Sequence, residues 1–132
     1  MAGRLYCWAC GVSALAMVVL LFVGGSQPES AGMFPEPWDK LVHLAYFFIL
    51  TTLFCQAGIC PGWALLLGVM VGGADEWHQY YLPGRDASLA DLFMDISGAL
   101  LAVYLAKTVR MAKLRNEPKC QGARQAKTTA QI

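Results

Sequence analysis

Residues 5–23 read LYCWACGVSALAMVVLLFV, a run of 19 residues without a charged side chain. At a rise of about 1.5 Å per residue, a helix of this length crosses the hydrocarbon core of a bilayer, which is about 30 Å thick. Three further apolar runs cover residues 41–59, 62–77 and 89–106, each ending at polar residues or at Pro and Gly. The pattern predicts an all-α, polytopic membrane helical bundle with about four transmembrane helices.

The first and third runs leave some room for other interpretations. The third is the weakest, because Asp75 and Glu76 shorten its apolar part. Pro61 and Gly62 allow a tight turn before it, so we expect the second and third runs to form an antiparallel hairpin. The alternative for the first run is a cleaved signal peptide with small residues at 23–26, although 19 apolar residues exceed the usual hydrophobic stretch of about 7–15.

The overall composition also indicates a membrane protein. Of the 132 residues, 57% are apolar and 14% are charged, whereas about a quarter of the residues of a soluble domain are charged. We therefore expect one transmembrane domain at 1–106, followed by a basic tail at 107–132 that is disordered beyond a first helical turn or two. We expect membrane lipids as partners, and we expect no binding to nucleic acid.

The basic residues predict the orientation in the cell membrane. The tail has one acid, Glu117, against seven bases: Lys107, Arg110, Lys113, Arg115, Lys119, Arg124 and Lys127. The positive-inside rule places such a segment in the cytoplasm. With four spans, the N-terminus with Arg4 is then cytoplasmic as well, and the loops at 24–40 and 78–88 lie outside.

Polar pairs with i, i+4 spacing lie at the outer ends of the last three predicted helices: Asp39 with His43, Asp75 with Gln79, and Asp91 with Asp95. Ionisable groups cost about 2.5–3.5 kcal/mol each at the centre of a membrane helix, so they usually face the bundle interior and find partners. Arg85 is close enough in sequence to fold over the pairs. The predicted ligand-binding set is Asp39, Lys40, His43, Asp75, Glu76, Gln79, Arg85, Asp91 and Asp95.

Helix capping is the alternative explanation for two of these acids. Asp39 lies in a first helical turn, where the dipole favours acids, and Ser88 with Asp91 fits a capping box. Capping does not explain Asp95, one turn further along its helix. It does not explain Glu76 either, because a helix C-terminus disfavours acids.

Three motifs together resemble the VanZ-like family over roughly residues 35–105. They are Asp39-Lys40-x-x-His43, then Asp75-Glu76-x-x-Gln79-x-x-x-Pro83-Gly84-Arg85, then Asp91-x-x-x-Asp95-x-x-Gly98. The resemblance implies a multi-pass protein of the bacterial cell envelope, and the family's namesake is linked to low-level resistance to the glycopeptide antibiotic teicoplanin. Many relatives carry Asn where this chain has Asp95. The resemblance implies no reaction, since the family has no established biochemical activity.

Three function classes remain open at this stage. The favoured one is binding of a polar lipid or of a lipid-linked cell-wall precursor at the outer site, without turnover. The alternatives are a membrane-embedded enzyme acting on a lipid-linked phosphate, and a polar lock that only holds the helices together. The sequence has no serine nucleophile elbow, no HExxH and no P-loop, which favours a binding protein over an enzyme.

Cysteines and glycines raise two smaller questions. Cys7, Cys10, Cys55 and Cys60 lie toward the cytoplasmic end in this topology, where four thiols are able to bind a metal. Buried apolar packing explains them more simply, so we expect no metal and no cofactor. Gly68 and Gly72 form a small-x-x-x-small face, which predicts close helix packing either inside the bundle or in a homo-oligomer.

Overall fold

The computed structural model describes residues 2–27, 35, 37–83 and 87–116. Within these residues the chain forms four helices and no strand: α1 (Ala2–Gly25), α2 (Trp38–Gln56), α3 (Pro61–Tyr80) and α4 (Leu89–Asn116). The predicted all-α helical membrane bundle is therefore confirmed. Three of these helices contain segments that are long and apolar enough to cross a membrane: Gly3–Gly25, Trp38–Gln56 and Leu89–Lys113. Helix α3 does not reach that threshold because its last turns are polar, so a fourth span stays a prediction.

The turn between α2 and α3 follows from local sequence. Gly58 has a φ of +98°, a left-handed conformation that L side chains rarely adopt. The Ile59 amide bonds the Phe54 carbonyl at 3.1 Å, and the Gly58 amide bonds the Cys55 carbonyl at 3.2 Å, which is the Schellman pattern of helix ends. Pro61 then begins α3 at a position where its missing N–H has no helical partner to lose.

Contacts at both ends define the direction of the helices. At one end, the Ser26 hydroxyl after α1 lies 3.3 Å from His78 Nε2 near the end of α3. At the other end, the Tyr6 hydroxyl near the start of α1 donates to Gln56 Oε1 at the end of α2. Helices α1 and α3 therefore run antiparallel to α2. Helix α4 runs parallel to α2, since His43 and Asp95, in the first halves of these two helices, are bonded.

The described helices form a small buried core, and many of the side chains on their outer surface are apolar. Ala14, Phe47 and Leu50 form the buried core between α1 and α2. Large apolar side chains such as Trp8 and Phe93 are exposed on the outside. This distribution suits a protein whose surroundings are lipid tails, because the bilayer is as apolar as the core.

Gly68 and Gly72 lie inside the bundle. A Cβ at Gly68 would come within 2.7 Å of the Thr51 hydroxyl on α2, and one at Gly72 within 3.0 Å of Asp95 Oδ2 on α4. The small-residue face of α3 therefore allows close approach to both neighbouring helices. Association of copies through this face was the other alternative, and it stays a prediction.

Helix α4 is longer than expected. The tail was predicted to begin at Lys107 and to keep a first helical turn or two, but the helix continues to Asn116. Lys, Arg, Ala, Met and Leu are all good helix formers, so the loss of apolar residues changes the solvent around the helix without ending it. Residues 117–132 lie outside the described residues, and the disorder predicted for them stays a prediction.

Candidate functional site

The site depends on a close contact between α2 and α4 at Gly98. A Cβ there would collide with the carbonyl oxygen of Leu44 and lie 3.0 Å from the amide nitrogen of Phe48. Only a glycine allows the two backbones to approach this closely. The contact includes Leu44, the residue after His43 on α2, and lies about one helical turn after Asp95 on α4, so it brings the side chains of His43 and Asp95 together.

His43 and Asp95 form the central bond of the site. His43 Nδ1 lies 2.9 Å from Asp95 Oδ1, and the two side chains are 13% and 0% exposed. The second oxygen of Asp95, Oδ2, is buried and has no hydrogen-bond partner. Although His43 and Asp39 have i, i+4 spacing, the hydrogen bond of the imidazole goes to the neighbouring helix. The bond therefore joins α2 to α4 and leaves one carboxylate oxygen of Asp95 unpaired.

Glu76, on α3, reaches the start of α4. Its Oε2 accepts a hydrogen bond from the backbone N–H of Ser88 at 2.7 Å, while its Oε1 is buried without a partner. In a capping box this N–H would bond the acid three residues later, Asp91. Glu76 takes the place of Asp91 as the acceptor.

Asp91 is consequently left without a capping role. The Ser88 hydroxyl accepts from the Ala90 amide at 3.2 Å, which is the serine half of the cap. Asp91 is only 7% exposed, and its Oδ1 has no hydrogen-bond partner. A buried carboxylate oxygen without a donor is costly, so this position requires an explanation other than capping.

Four carboxylates surround His43. The side chains form two groups of three, in each of which one nitrogen or oxygen atom per residue lies within 4.8 Å of the other two. The groups are Asp39, His43 and Asp91, and His43, Glu76 and Asp95. We call these five residues the acidic cluster. It lies where α2 and α4 begin and where α3 ends, so three helices contribute to it. Carboxylates and an imidazole at these distances can hold a cation or accept several hydrogen bonds from one ligand.

The other predicted site residues lie outside the acidic cluster or outside the described residues. Gln79 donates to Asp75 Oδ2 at 2.7 Å, so this pair is bonded along α3, as its spacing predicted. Lys40 is half-buried in the first turn of α2. Arg85 lies outside the described residues, and its closure over the acids stays a prediction.

The opposite end of the bundle has a different character. Cys10 Sγ lies 4.0 Å from Gln56 Oε1 at this end. A cavity of about 600 Å³ opens nearby between α2 and α4, with mainly apolar walls and with Arg110 and Lys113 at its edge. Among the described residues, no acid lines this cavity. The acidic cluster and the cavity are therefore separate features at the two ends of the bundle.

Ser88 is the residue that sequence reasoning missed as a contact between helices. Its amide belongs to the backbone, so no side-chain motif reveals it, and the bond to Glu76 spans 12 residues. The sequence did contain a signal for the close contact at Gly98, because this glycine follows Asp95 by three residues in the third motif.

Comparison with known proteins supports the resemblance noted in the motifs. The model of one protein family, VanZ/LLP1, matches residues 11–110, which is most of the chain and covers all five residues of the acidic cluster. Searches of the curated proteins and of the solved structures find no significant match. The chain therefore belongs to the VanZ/LLP1 family.

Proposed function

We propose that this VanZ-family membrane protein binds the polar head group of a lipid, or of a lipid-linked cell-wall precursor, at the acidic cluster. The observation that carries the proposal is the Asp91 carboxylate, which is 7% exposed and has an unpaired oxygen. Glu76 and Asp95 each contribute a further unpaired, buried oxygen. A group of buried acceptors without donors is typical of a binding site whose ligand supplies the donors.

Burial of these unpaired oxygens costs folding free energy, and binding of a ligand would recover it. Leaving a buried acceptor without a donor costs about 1–3 kcal/mol, and more when the group is charged. Three such oxygens at one place would cost several kcal/mol of folding free energy, which is comparable with the whole stability of a small protein. A ligand that hydrogen-bonds all three recovers this cost on binding.

The chemistry of the acidic cluster indicates what kind of head group fits. Carboxylates accept hydrogen bonds and repel anions, so a bare phosphate is disfavoured. Hydroxyl and ammonium groups are donors, and ammonium also has the complementary charge. We therefore infer a head group rich in hydroxyl or amine donors, as in a sugar, an amino alcohol or a peptide amine.

The proposed orientation brings the acidic cluster to the side where such molecules are displayed. The cluster lies at the end of α4 opposite to its basic C-terminal end, which has Lys107, Arg110 and Lys113. With that end in the cytoplasm, the acidic cluster faces outward. The unpaired acceptors then lie close to the outer lipid head groups.

Soluble head-group compounds test the proposal. Purified protein in detergent is heated with glucosamine, ethanolamine or inorganic phosphate, and the unfolding temperature is recorded. A ligand that binds only the folded protein stabilises it by about 2.7 kcal/mol at 100 times its Kd. We expect a saturable rise with at least one donor-rich compound, none with phosphate, and loss of the rise in Asp91→Asn. Glu117→Gln, the same chemical change beyond the family match, is the control.

A polar lock is the second candidate, and specific bonds favour it. The His43–Asp95 bond joins α2 to α4, and the bond from Ser88 to Glu76 joins the start of α4 to α3. If no donor-rich compound changes the unfolding temperature of the folded protein, the lock is the better account.

Two further parts of the proposal follow from family membership. We propose that expression raises resistance to teicoplanin in a susceptible bacterial host. The minimum inhibitory concentration with and without Asp91→Asn, at equal protein abundance, measures this. Turnover of a lipid-linked phosphate remains the enzymatic alternative, and release of free phosphate from such a lipid by purified protein would favour it.

A further inference from the structure

We propose that Asp39, His43 and Asp91 bind a divalent transition-metal ion between α2 and α4, and that Asp95 orients the His43 ring for this task. The ion site is an addition to the proposed head-group binding and does not depend on it. It rests on the placement of three ligand atoms, on the bond of His43 to Asp95, and on the unpaired Oδ1 of Asp91.

The distances suit a metal ion. The three ligand atoms lie within 4.8 Å of one another. Bonds from Zn²⁺ to nitrogen and oxygen are about 2.0–2.2 Å, so two ligands on the same ion are separated by at most about 4.4 Å. Small rotations of the side chains are enough to close the difference. Two of the ligands are one helical turn apart on α2, and the third comes from the parallel helix α4.

The bond to Asp95 prepares His43 for this role. His43 Nδ1 lies 2.9 Å from Asp95 Oδ1. With the proton on Nδ1, the ring donates to Asp95, and the lone pair of Nε2 is available to a metal. Histidine ligands in metal sites usually donate their other N–H to a carboxylate in this way. Asp95 is fully buried, so it fixes the ring while remaining inaccessible from outside.

Asp91 is the independent sign of a ligand. It is 93% buried, and Glu76 occupies the N–H that Asp91 would otherwise cap. Its Oδ1 has no hydrogen bond, and one of its carboxylate oxygens lies within 4.8 Å of ligand atoms of Asp39 and His43. A cation between these three side chains satisfies that oxygen and offsets the repulsion of the acids.

The ligand types select the kind of ion. An imidazole with carboxylates suits Zn²⁺ or Mn²⁺ better than Mg²⁺ or Ca²⁺, which prefer oxygen ligands alone. Three protein ligands leave at least one coordination position open, as in catalytic metal sites. A hydroxyl oxygen of a head group can occupy that position.

The second group of possible metal ligands, His43 with Glu76 and Asp95, is less suited to the ion. The Nδ1 of His43 already has a hydrogen bond with Asp95, so coordination there would break it. Glu76 Oε2 is likewise bonded to the Ser88 amide. With Nε2 of His43 as the ligand atom, the first group keeps both bonds.

Metal titration of full-length protein tests the proposal. All five cysteines are replaced by serine to remove binding by thiols, and the purified protein is stripped with a chelator in detergent. Zn²⁺ is then titrated by calorimetry and Mn²⁺ by electron paramagnetic resonance, without any head-group compound. We expect one ion per chain, at least tenfold weaker binding in Asp91→Asn and His43→Gln, and about 10–100-fold weaker binding in Asp95→Asn. Glu117→Gln should bind as the parent does.

Several results would overturn the ion site. These are the absence of saturable binding, unchanged affinity in Asp91→Asn, or a loss in Glu76→Gln that Asp39→Asn does not share. X-ray absorption of the Zn²⁺-loaded, cysteine-free protein does not depend on the folding of variants. It should show one imidazole among the ligands, and a spectrum with oxygen ligands only would refute the proposal. Because no head-group compound is present, failure here would leave the head-group proposal standing.

Discussion

At the scale of single residues, the His43–Asp95 bond is the contact that both a binding site and a polar lock require. It lies between two membrane helices with almost no exposure to water. Removing one partner strands the other, and the cost of a stranded polar group exceeds the net gain of the bond itself. The pair therefore contributes to stability as well as to the geometry of the acidic cluster.

A double-mutant cycle measures this contribution. We expect His43→Ala and Asp95→Ala each to lower the free energy of unfolding, and the double variant to lose less than the sum, with a coupling of about 0.5–3 kcal/mol. Reversible unfolding in mixed detergent gives the three values. Asp95→Ala combined with Thr108→Ala is the control, since Thr108 bonds the Tyr104 carbonyl within its own helix. Additive losses for His43 and Asp95 would show that the bond does not form in the membrane protein.

Spacing along the chain predicted one of the polar pairs and could not predict the other contacts. The i, i+4 rule gave the bond of Gln79 to Asp75, because both residues lie on one helix. The same rule could not show that His43 prefers Asp95, since that bond depends on how α2 and α4 cross. It also could not show that Asp91 lacks its capping bond, because Glu76 competes from a third helix.

At the scale of the helices, Gly98 controls the distance between α2 and α4. We expect Gly98→Ala to lower the free energy of unfolding by about 1–3 kcal/mol or more, because the new methyl group meets backbone atoms that cannot move independently. It should also weaken every function of the acidic cluster, since His43 and Asp95 separate with the helices.

Gly73→Ala is the matched control for this variant. Gly73 lies within α3, and a Cβ there has no atom within 4 Å. Alanine in a helix interior is better than glycine by about 0.5–1 kcal/mol, so this variant should be neutral or more stable. Equal stability of the two variants in the same unfolding assay would contradict the close contact at Gly98.

Helix existence was predictable from composition, but helix ends were less so. Apolar runs located all four helices, but the turn expected at Pro61 and Gly62 lies at residues 57–60, and Pro61 is already the first residue of α3. The end of α4 was placed too early, because charged residues such as Lys107 and Arg110 end a hydrophobic pattern without ending a helix. The contact of Gly98 with α2 required the packed structure, although the glycine itself was part of a motif.

At the scale of the whole molecule, the orientation decides which side of the membrane the acidic cluster faces. In a cysteine-free background, we expect Ser26→Cys and Ala87→Cys to react with a membrane-impermeant maleimide on intact cells. Lys113→Cys should react only after the membrane is permeabilised, since the basic end of α4 is expected to be cytoplasmic. Ser26, Ala87 and Lys113 all lie near helix ends, and their side chains are exposed. Labelling of Lys113→Cys on intact cells would contradict the predicted topology and place the basic end of α4 outside.

Native mass spectrometry of protein extracted from its own membrane tests most directly whether the acidic cluster binds a head group. The account predicts that wild-type protein retains a lipid whose head group has hydroxyl or amine donors. The retained fraction should fall at least several-fold in Asp91→Asn and should not change in Glu117→Gln. Equal retention in wild type and Asp91→Asn, or no retained lipid in either when both are folded, would contradict the binding site.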